Sequence, residues 1–275
     1  MAEIKTITST QNSAFKQAAK YAKAQEARKD NVFLVEGVRA VSEVLKAGDW
    51  NCQNIWISES LWKSGKEFGK ELMDKAQCPV YQVPDAMMQR LSDTMTPQGV
   101  VAVVARRNYK VADVLKDCHE KGERPLLVIL ENLQDPGNVG TVIRTCDAAA
   151  ASALIVTRGT TDIYAPKVIR AAMGSLLHLP VCRVESAAEL AQALKKANIQ
   201  VLAAALKEDS VTPYEIDMKK PTAILIGNEG NGLTEEAVEA ADMTVKIPMP
   251  GKAESLNAGV AAGVMVYEAV RQRMN

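Results

Sequence analysis

Short apolar runs alternate with amphipathic stretches along the first hundred residues of this chain. Runs of this kind predict β-strands, and three occur here, at residues 32–35, 54–57 and 100–104. The segment 38–47 fits a helix, and residues 11–29, which are rich in Ala, Lys, Gln and Glu, predict a surface helix. These elements indicate a small α/β domain over residues 1–107.

Beyond residue 125 the alternation is longer. Five apolar runs predict strands, at residues 126–130, 153–156, 199–204, 223–226 and 245–247. Four helical stretches alternate with them, at residues 139–150, 166–173, 187–197 and 256–273. This pattern indicates a parallel sheet with helices on both faces, in a second domain at 125–275. The charged segment 108–124 has only a short helical stretch, so we expect it to be a linker.

Composition supports two globular domains, because the chain has 275 residues and 47% of them are hydrophobic. Its 33 basic and 33 acidic residues cancel, which argues against a surface covered in positive charge. Local basic clusters remain, as at residues 16–29, where a solvated helix face is the alternative to a nucleic-acid contact. No run approaches the roughly 20 apolar residues of a membrane span, and the N-terminus lacks a secretion signal, so we expect a cytoplasmic protein without a membrane partner.

Cysteine and histidine usage argues against a metal site. The five cysteines are scattered and never spaced as Cys-x-x-Cys, and only two histidines are present. The sequence therefore predicts no bound metal, mostly buried reduced thiols, and a chemistry that does not depend on histidine as general base.

Two glycine-bearing loops each follow a predicted strand in the second half of the chain. They are Ile224–Gly232 (ILIGNEGNG) and Ile247–Asn257 (IPMPGKAESLN). Loops at the carboxyl ends of strands are where open α/β sheets bind ligands. Neither loop has the glycine spacing of a dinucleotide site or of a phosphate-binding loop, so a different nucleoside-like ligand is expected. A tight strand-to-helix connection would by itself also account for the glycines of the first loop.

Two further segments complete the pattern. Leu130–Arg144 (LENLQDPGNVGTVIR) leads from a strand through a Pro-Gly turn into a helix, and Tyr164–Ser175 (YAPKVIRAAMGS) follows later. Together with the two glycine loops they resemble the SpoU (TrmH) class of SPOUT methyltransferases. Phe33–Arg39 and Gln98–Val103 are similar to the substrate-binding module that often precedes that catalytic domain.

This resemblance implies an S-adenosylmethionine-dependent enzyme that methylates a ribose 2′-hydroxyl of RNA. It implies a parallel-sheet domain threaded into a deep trefoil knot, which sequence patterning cannot indicate. It also implies a homodimer in which an arginine of one subunit lies near the cofactor of the other. The leading domain resembles modules that accompany ribosomal RNA enzymes, so we expect ribosomal RNA to be the substrate.

Carried over residue by residue, the resemblance predicts a set of site residues. The expected cofactor contacts are Leu206, Gly227, Asn228, Gly230, Ile247, Met249 and Leu256. The expected catalytic group is Arg144, with Asn138, Glu229, Ser255 and Asn257. Ser255 and Asn257 also suit helix N-caps, and Glu229 is expected either to support its loop or to pair with Arg144. Candidates for RNA contacts are Arg39, Lys167 and Arg170.

Arg144 matches the principal catalytic residue of the family, where it has been assigned as the base that removes the 2′-hydroxyl proton. A guanidinium rarely gives up its proton, so a different role is favoured. We expect Arg144 to hold the phosphate beside the target ribose and to stabilise the developing alkoxide.

Three alternatives remain open at this point. Transfer RNA is the main competing substrate. A non-catalytic RNA-binding factor with the same fold would bind the cofactor without transferring a methyl group. A nucleotide-dependent oxidoreductase would need the dinucleotide fingerprint, which is missing.

Overall fold

The computed structural model describes residues 4–92 and 94–274, and its chain divides into two compact units. The first unit contains the residues up to Arg107 together with Tyr164–Ile169. The second contains Asn108–Ile163 and the residues from Arg170 onward. Both units are α/β structures, which confirms the predicted fold class.

The first unit is built on a five-stranded sheet. Its elements are β1 (Ile4–Thr6), α1 (Ser13–Lys20), α2 (Ala24–Lys29), β2 (Val32–Glu36), α3 (Val38–Ala47), β3 (Cys52–Ser58), α4 (Glu59–Ser64), α5 (Lys66–Lys75), β4 (Val80–Val83), α6 (Asp85–Met88) and β5 (Val100–Ala105). The strand order is β1-β4-β3-β5-β2, with β5 antiparallel to both of its neighbours. Ile55, Trp56 and Ile57 of the central β3 are completely buried, so both faces of this sheet are covered.

The second unit contains a six-stranded, entirely parallel sheet of order β11-β9-β10-β6-β7-β8. Its elements are α7 (Val111–Glu120), β6 (Leu126–Leu130), α8 (Pro136–Ala148), β7 (Ala153–Thr157), α9 (Pro166–Ala172), β8 (Val181–Val184), α10 (Ala187–Lys196), β9 (Gln200–Ala204), β10 (Thr222–Ile226), α11 (Glu235–Ala240), β11 (Met243–Val245) and α12 (Ala258–Arg273). The first four residues of α9 belong to the first unit. The knot implied by the resemblance stays a prediction.

The segment expected to be a linker, 108–124, is part of the second unit. It contains α7, whose Val114 and Cys118 are buried in the same hydrophobic core as Leu127 and Ile129 of β6. The prediction rested on the charged residues of this segment. These residues lie on the exposed side of an amphipathic helix, and the opposite side packs against the sheet.

Strand register brings several loops of the second unit to one edge. Ile226 of β10 lies level with Leu130 of β6, and Val245 of β11 lies level with Ala204 of β9. Because all of these strands are parallel, the loops that follow them emerge at the same edge of the sheet. In the part of the chain that the structure describes, no helix is long and apolar enough to cross a membrane.

Candidate active site

A cleft of about 680 Å³ opens at the carboxyl ends of β9, β10 and β11, beside the start of α12. All seven residues expected to contact the cofactor line it: Leu206, Gly227, Asn228, Gly230, Ile247, Met249 and Leu256. Glu229, Ser255 and Asn257 line it as well. The cleft has the size of a small-molecule site, and both aliphatic and polar side chains line its walls.

Gly227 is the residue at which β10 turns into the cleft. An added Cβ at this position would lie 2.2 Å from the carbonyl carbon of Gly232 and 2.3 Å from the amide nitrogen of Leu233. No side chain fits there, because the backbone before the turn and the backbone after it are in contact at that point. Gly232, with φ of +69°, reverses the chain and exchanges two backbone hydrogen bonds with Asn228, of 2.9 and 3.0 Å.

Asn228 fixes this turn through its side chain. Its Oδ1 accepts hydrogen bonds from the amides of Gly230 and Asn231, at 2.8 and 3.2 Å. Its Nδ2 donates to the carbonyl oxygen of Asn132, at 2.8 Å. All of these partners belong to the protein backbone, so the amide of Asn228 shapes the cleft from within the loop.

A chain of side-chain hydrogen bonds connects three of the predicted catalytic residues. Asn257 caps α12, and its Oδ1 accepts from the amides of Gly259 and Val260, at 2.9 and 3.3 Å. This cap directs Nδ2 of Asn257 toward Oδ1 of Asn138, at 2.9 Å. Nδ2 of Asn138 in turn donates to Oε1 of Glu229, at 2.9 Å. The cap therefore determines which way each amide in the chain points.

Glu229 stays ionised at the end of this network. Partial burial would by itself raise the pKa of its carboxyl group. The hydrogen bonds from Asn138 and from the backbone amides of Glu229, Asp135 and Gln134 outweigh burial, so the pKa of Glu229 lies below its ordinary value. These hydrogen bonds join the loop after β10 to the start of α8.

Arg144 lies outside this network and does not line the cleft of its own chain. It is exposed on α8, six residues beyond Asn138, which rotates it about 120° around the helix axis. Within residues 4–92 and 94–274, its guanidinium forms no ion pair, so the alternative pairing with Glu229 is not found. The side chains of Asn138 and Arg144 therefore leave α8 in different directions.

The remaining predicted site residues lie outside the hydrogen-bonded chain of Asn257, Asn138 and Glu229. Ser255 is exposed in the loop before α12 and does not cap it, because the helix begins at Ala258, directly after Asn257. The three candidate RNA contacts, Arg39, Lys167 and Arg170, are exposed, and none of them lines the cleft.

Glu131 was missed by the sequence analysis, although it follows the apolar strand β6 directly. Only 5% of its surface is exposed, and its carboxylate accepts hydrogen bonds from the amide and the hydroxyl of Thr234, at 2.8 and 3.0 Å. Thr234 caps α11 through the amide of Ala237. Glu131 thereby ties the end of β6 to the segment that follows the Gly227 turn. An acidic residue at the end of a fully buried strand is the signal that could have revealed it.

The residues described so far form a parallel-sheet unit with a glycine-shaped cleft of aliphatic and polar side chains at the carboxyl edge of its strands. This is the arrangement of a nucleoside-cofactor-dependent α/β enzyme. The sequence profile of the SpoU rRNA Methylase family matches residues 125–267, and a profile described as RNA 2′-O ribose methyltransferase substrate binding matches residues 34–110. The chain belongs to the SpoU family, and S-adenosylmethionine is its methyl donor.

Known proteins resemble the chain to different extents. The 23S rRNA (guanosine(2553)-2′-O)-methyltransferase RlmP of Bacillus subtilis is 33% identical over 96% of this chain and 98% of its own length. An AdoMet-bound rRNA methyltransferase from Sinorhizobium meliloti superposes with a TM-score of 0.82 at 31% identity, covering 98% of each chain. A TrmH/SpoU tRNA modifying enzyme from A. aeolicus superposes with a TM-score of 0.51 at 30% identity, covering 59% of this chain and 85% of its own.

Proposed function

We propose that the chain transfers a methyl group from S-adenosylmethionine to a ribose 2′-hydroxyl of ribosomal RNA. The observation that carries the choice of substrate is the extent of the similarity. The RlmP relative and the S. meliloti rRNA enzyme correspond to nearly the whole chain, whereas the tRNA modifying enzyme corresponds to 59% of it. Ribosomal RNA as substrate also agrees with the cytoplasmic location predicted from the sequence.

The cleft suits the adenosine part of the cofactor. Aliphatic side chains that line it can pack against a flat base; they belong to Leu206, Ile247, Met249 and Leu256. The turn at Gly227 allows the backbone to approach a ligand closely because no side chain intervenes. When bound, the cofactor supplies an electrophilic methyl group on a sulfonium that carries its own leaving group. The protein then has mainly to align the hydroxyl with it.

The hydrogen-bonded chain Asn257–Asn138–Glu229 would act by positioning. It connects the start of α12 and the loop after β10, which line the cleft, to the start of α8, whose Asn138 lies behind them and does not line it. Ser255, exposed at the cleft, remains available to the ligand or to RNA. We assign Arg39, Lys167 and Arg170, which are all exposed, to contacts with RNA phosphates.

We further infer that the enzyme acts as a homodimer and that Arg144 serves the cleft of the partner subunit. Arg144 is exposed, forms no ion pair with any described residue, and does not line its own cleft. The neighbouring helix α12, which packs against α8, exposes Val260 and Tyr267 at 50% and 49% of their surface. Two large apolar side chains seven residues apart on one helix face suit burial against a second copy. In that position the guanidinium would hold a phosphate and stabilise the developing alkoxide.

The test is methyl transfer from labelled S-adenosylmethionine to unmodified ribosomal RNA and, separately, to tRNA, followed by nuclease digestion to locate the label. Arg144→Ala is compared with Arg124→Ala. The second variant removes an exposed guanidinium at the opposite edge of the sheet, where it donates a hydrogen bond to the carbonyl oxygen of Lys219.

We expect a labelled 2′-O-methylnucleotide in ribosomal RNA, lost with Arg144→Ala and retained with Arg124→Ala. Label in tRNA alone would overturn the substrate assignment. Cofactor binding without label in any RNA, including RNA in ribosomal particles, would indicate a non-catalytic RNA-binding factor.

A further inference from the structure

A concave basic surface lies on the first unit, at a distance in sequence from every residue of the cleft. It encloses about 420 Å³ and is lined by Lys16 and Lys20 of α1, Lys23 at the start of α2, and Arg90 after α6. Phe15 and Ala19 contribute its apolar base, and Thr10 and Glu26 its remaining edge. We call this surface the α1 groove. Apart from Arg90, its residues precede the segment that matches the substrate-binding profile, which begins at residue 34.

The α1 groove carries an excess of positive charge in a chain whose net charge is zero. Lys16, Lys20, Lys23 and Arg90 are all exposed, and none of them forms an ion pair within the described ranges 4–92 and 94–274. Among the described residues, Glu26 is the only acidic one that lines the groove, and its carboxylate lies 2.7 Å from Nζ of Lys29. The four cationic groups therefore remain available to an anion.

The groove is held rigidly on the sheet. Phe15 is 1% exposed and meets the ring of Trp56 edge-on, with ring centroids 5.7 Å apart. Asn12 caps α1 through the amides of Ala14 and Phe15, at 3.0 and 3.3 Å. Lys16 and Lys20 are one helical turn apart on the side of α1 that faces away from this packing, so their ammonium groups project from a fixed base.

The chemistry of the groove suits a polyanionic backbone. Lysine offers a point charge to phosphate oxygens and reads no base edge. The one aromatic side chain in the groove, Phe15, is buried and has no free face on which a base could stack. A chain of phosphates fits an open, multiply cationic groove of this kind better than a single base or a small anion does.

We propose that the α1 groove binds the phosphodiester backbone of the RNA substrate, and so extends the RNA-binding surface of the first unit beyond the profile-matched residues. This inference rests on the proposed function, because the RNA bound is the RNA that is methylated. Binding here is independent of base sequence. The groove therefore contributes affinity, while the choice of nucleotide is made elsewhere.

The experiment compares two triple variants of the full-length protein. Lys16→Ala/Lys20→Ala/Lys23→Ala removes three charges from the groove. Lys63→Ala/Lys66→Ala/Lys70→Ala removes the same number from α4 and α5, where these lysines are exposed and form no ion pairs within the described part of the chain. Affinity for a ribosomal RNA fragment is measured from about 50 to 200 mM salt. S-adenosylmethionine binding and circular dichroism establish that each variant is folded.

We expect the groove variant to bind RNA at least tenfold more weakly at low salt, with the slope of log affinity against log salt reduced by about 2, since each lost phosphate contact removes roughly 0.7 to 0.9. Its KM for RNA should rise while kcat at saturating RNA is retained. The α4–α5 variant should match the wild type.

Equal affinity and equal salt slope in the two triple variants would overturn the groove assignment and leave the proposed function intact. A wild-type protein that binds S-adenosylmethionine but neither ribosomal RNA nor tRNA would overturn the proposed function itself, and the groove assignment with it. A folded groove variant whose RNA binding is unchanged, but which fails to bind an acidic protein that the wild type retains, would reassign the groove to a protein partner.

Discussion

At the scale of single residues, the cleft depends on a position where the backbone alone forms the wall. Gly227 lies against the backbone of Gly232 and Leu233 so closely that even a methyl group would overlap with both. Such a contact allows the turn to approach a ligand, but it leaves the turn no room to adapt.

We predict that Gly227→Ala weakens S-adenosylmethionine binding at least tenfold, which corresponds to about 1.4 kcal/mol. The added Cβ would lie 2.2 Å from the carbonyl carbon of Gly232, so the turn must open and the cleft must change shape. Gly251→Ala is the matched control, because nothing lies within 4 Å of a Cβ at that position. Isothermal titration of both variants measures the effect. Equal dissociation constants would contradict this account of the turn.

The side-chain amide of Asn257 caps α12 through its oxygen and donates to Asn138 through its nitrogen, and substitutions can separate these two roles. Asn257→Ala removes the cap of α12, at a cost of about 1 kcal/mol and a melting temperature lower by roughly 2–4 °C. Asn257→Asp keeps the oxygen that accepts from Gly259 and Val260, but it loses the donor to Asn138. We therefore expect Asn257→Asp to retain stability while both variants lose methyl transfer. Wild-type turnover in Asn257→Asp would refute the positioning role.

At the scale of elements, the parallel pairing of β3 and β4 brings two thiols together in the first unit. Ile55 lies level with Val80, and the cysteines just upstream, Cys52 and Cys78, have their sulfur atoms 3.5 Å apart. The hydrogen bond to Cys52 lowers the pKa of Cys78, while the hydrogen bond to Cys78, together with burial, raises the pKa of Cys52. The first proton therefore leaves from Cys78.

We predict that iodoacetamide modifies Cys78 before Cys52, because the lowered pKa of Cys78 gives it the larger thiolate fraction. Because a lowered pKa increases the thiolate fraction at a given pH, Cys52→Ala should slow the reaction of Cys78 at neutral pH by returning its pKa toward the ordinary value. Peptide mass spectrometry as a function of pH measures both rates. Earlier labelling of Cys52 would reverse the assignment.

Long buried strands could be predicted from the sequence. Short strands, which are defined by their pairing with a neighbouring strand, could not. Residues 126–130 are apolar throughout and form β6 with the predicted bounds. Strands such as β1, β4 and β8 have only three or four residues, and no repeat within them distinguishes a strand from a loop. The strand predicted at 245–247 ends at Val245, because its pairing with β9 ends at Ala204.

The ends of helices are set by capping side chains and proline more than by the hydrophobic periodicity from which they were predicted. The helix predicted from residue 139 begins at Pro136, since Asp135 caps it at 2.7 Å and proline suits the first helical position. The single helix predicted over 11–29 is two helices, α1 and α2. Between them the buried Tyr21 donates a hydrogen bond from its hydroxyl to Asp30, at 2.8 Å.

The cleft residues were predicted because they lie in contiguous motifs, whereas the contacts among them were not. Asn138 is separated from Glu229 by 91 residues and from Asn257 by 119. No spacing rule links positions so far apart, and only the register of parallel strands brings them together. Glu131 was missed for the same reason, since its partner Thr234 lies 103 residues away.

At the scale of the whole molecule, each unit presents a surface that its own chain leaves open. The first unit has the α1 groove, whose four cationic groups form no ion pairs with the residues that the structure describes. The second exposes Arg144 on α8 and the apolar side chains of Val260 and Tyr267 on α12, a helix that packs against α8. Zero net charge therefore conceals an uneven distribution, in which one surface suits RNA and the other suits a second copy.

The proposed dimer can be tested by combining two variants, each of which is defective as a homodimer. One subunit carries Arg144→Ala with an intact cleft, and the other carries Gly227→Ala with an intact arginine. The two are co-expressed with different tags so that the mixed dimer can be isolated. If Arg144 acts on the partner's cleft, one of the two sites contains both functional groups, because the closed symmetry of a dimer creates two equivalent sites.

With S-adenosylmethionine near the dissociation constant of the wild type, we expect the mixed dimer to show about half of the wild-type methyl transfer per dimer, whereas each parent homodimer shows a small fraction of it. If Arg144 instead acts within its own chain, each site of the mixed dimer lacks one of the two groups, and the mixture is as inactive as its parents. Tyr267→Asp, which places a charge in the apolar face of α12, should abolish the recovery by separating the subunits. Light scattering shows whether the Tyr267→Asp mixture is monomeric. Recovery that persists in a monomeric mixture would rule out the proposed interface, because methyl transfer would then not need a partner subunit.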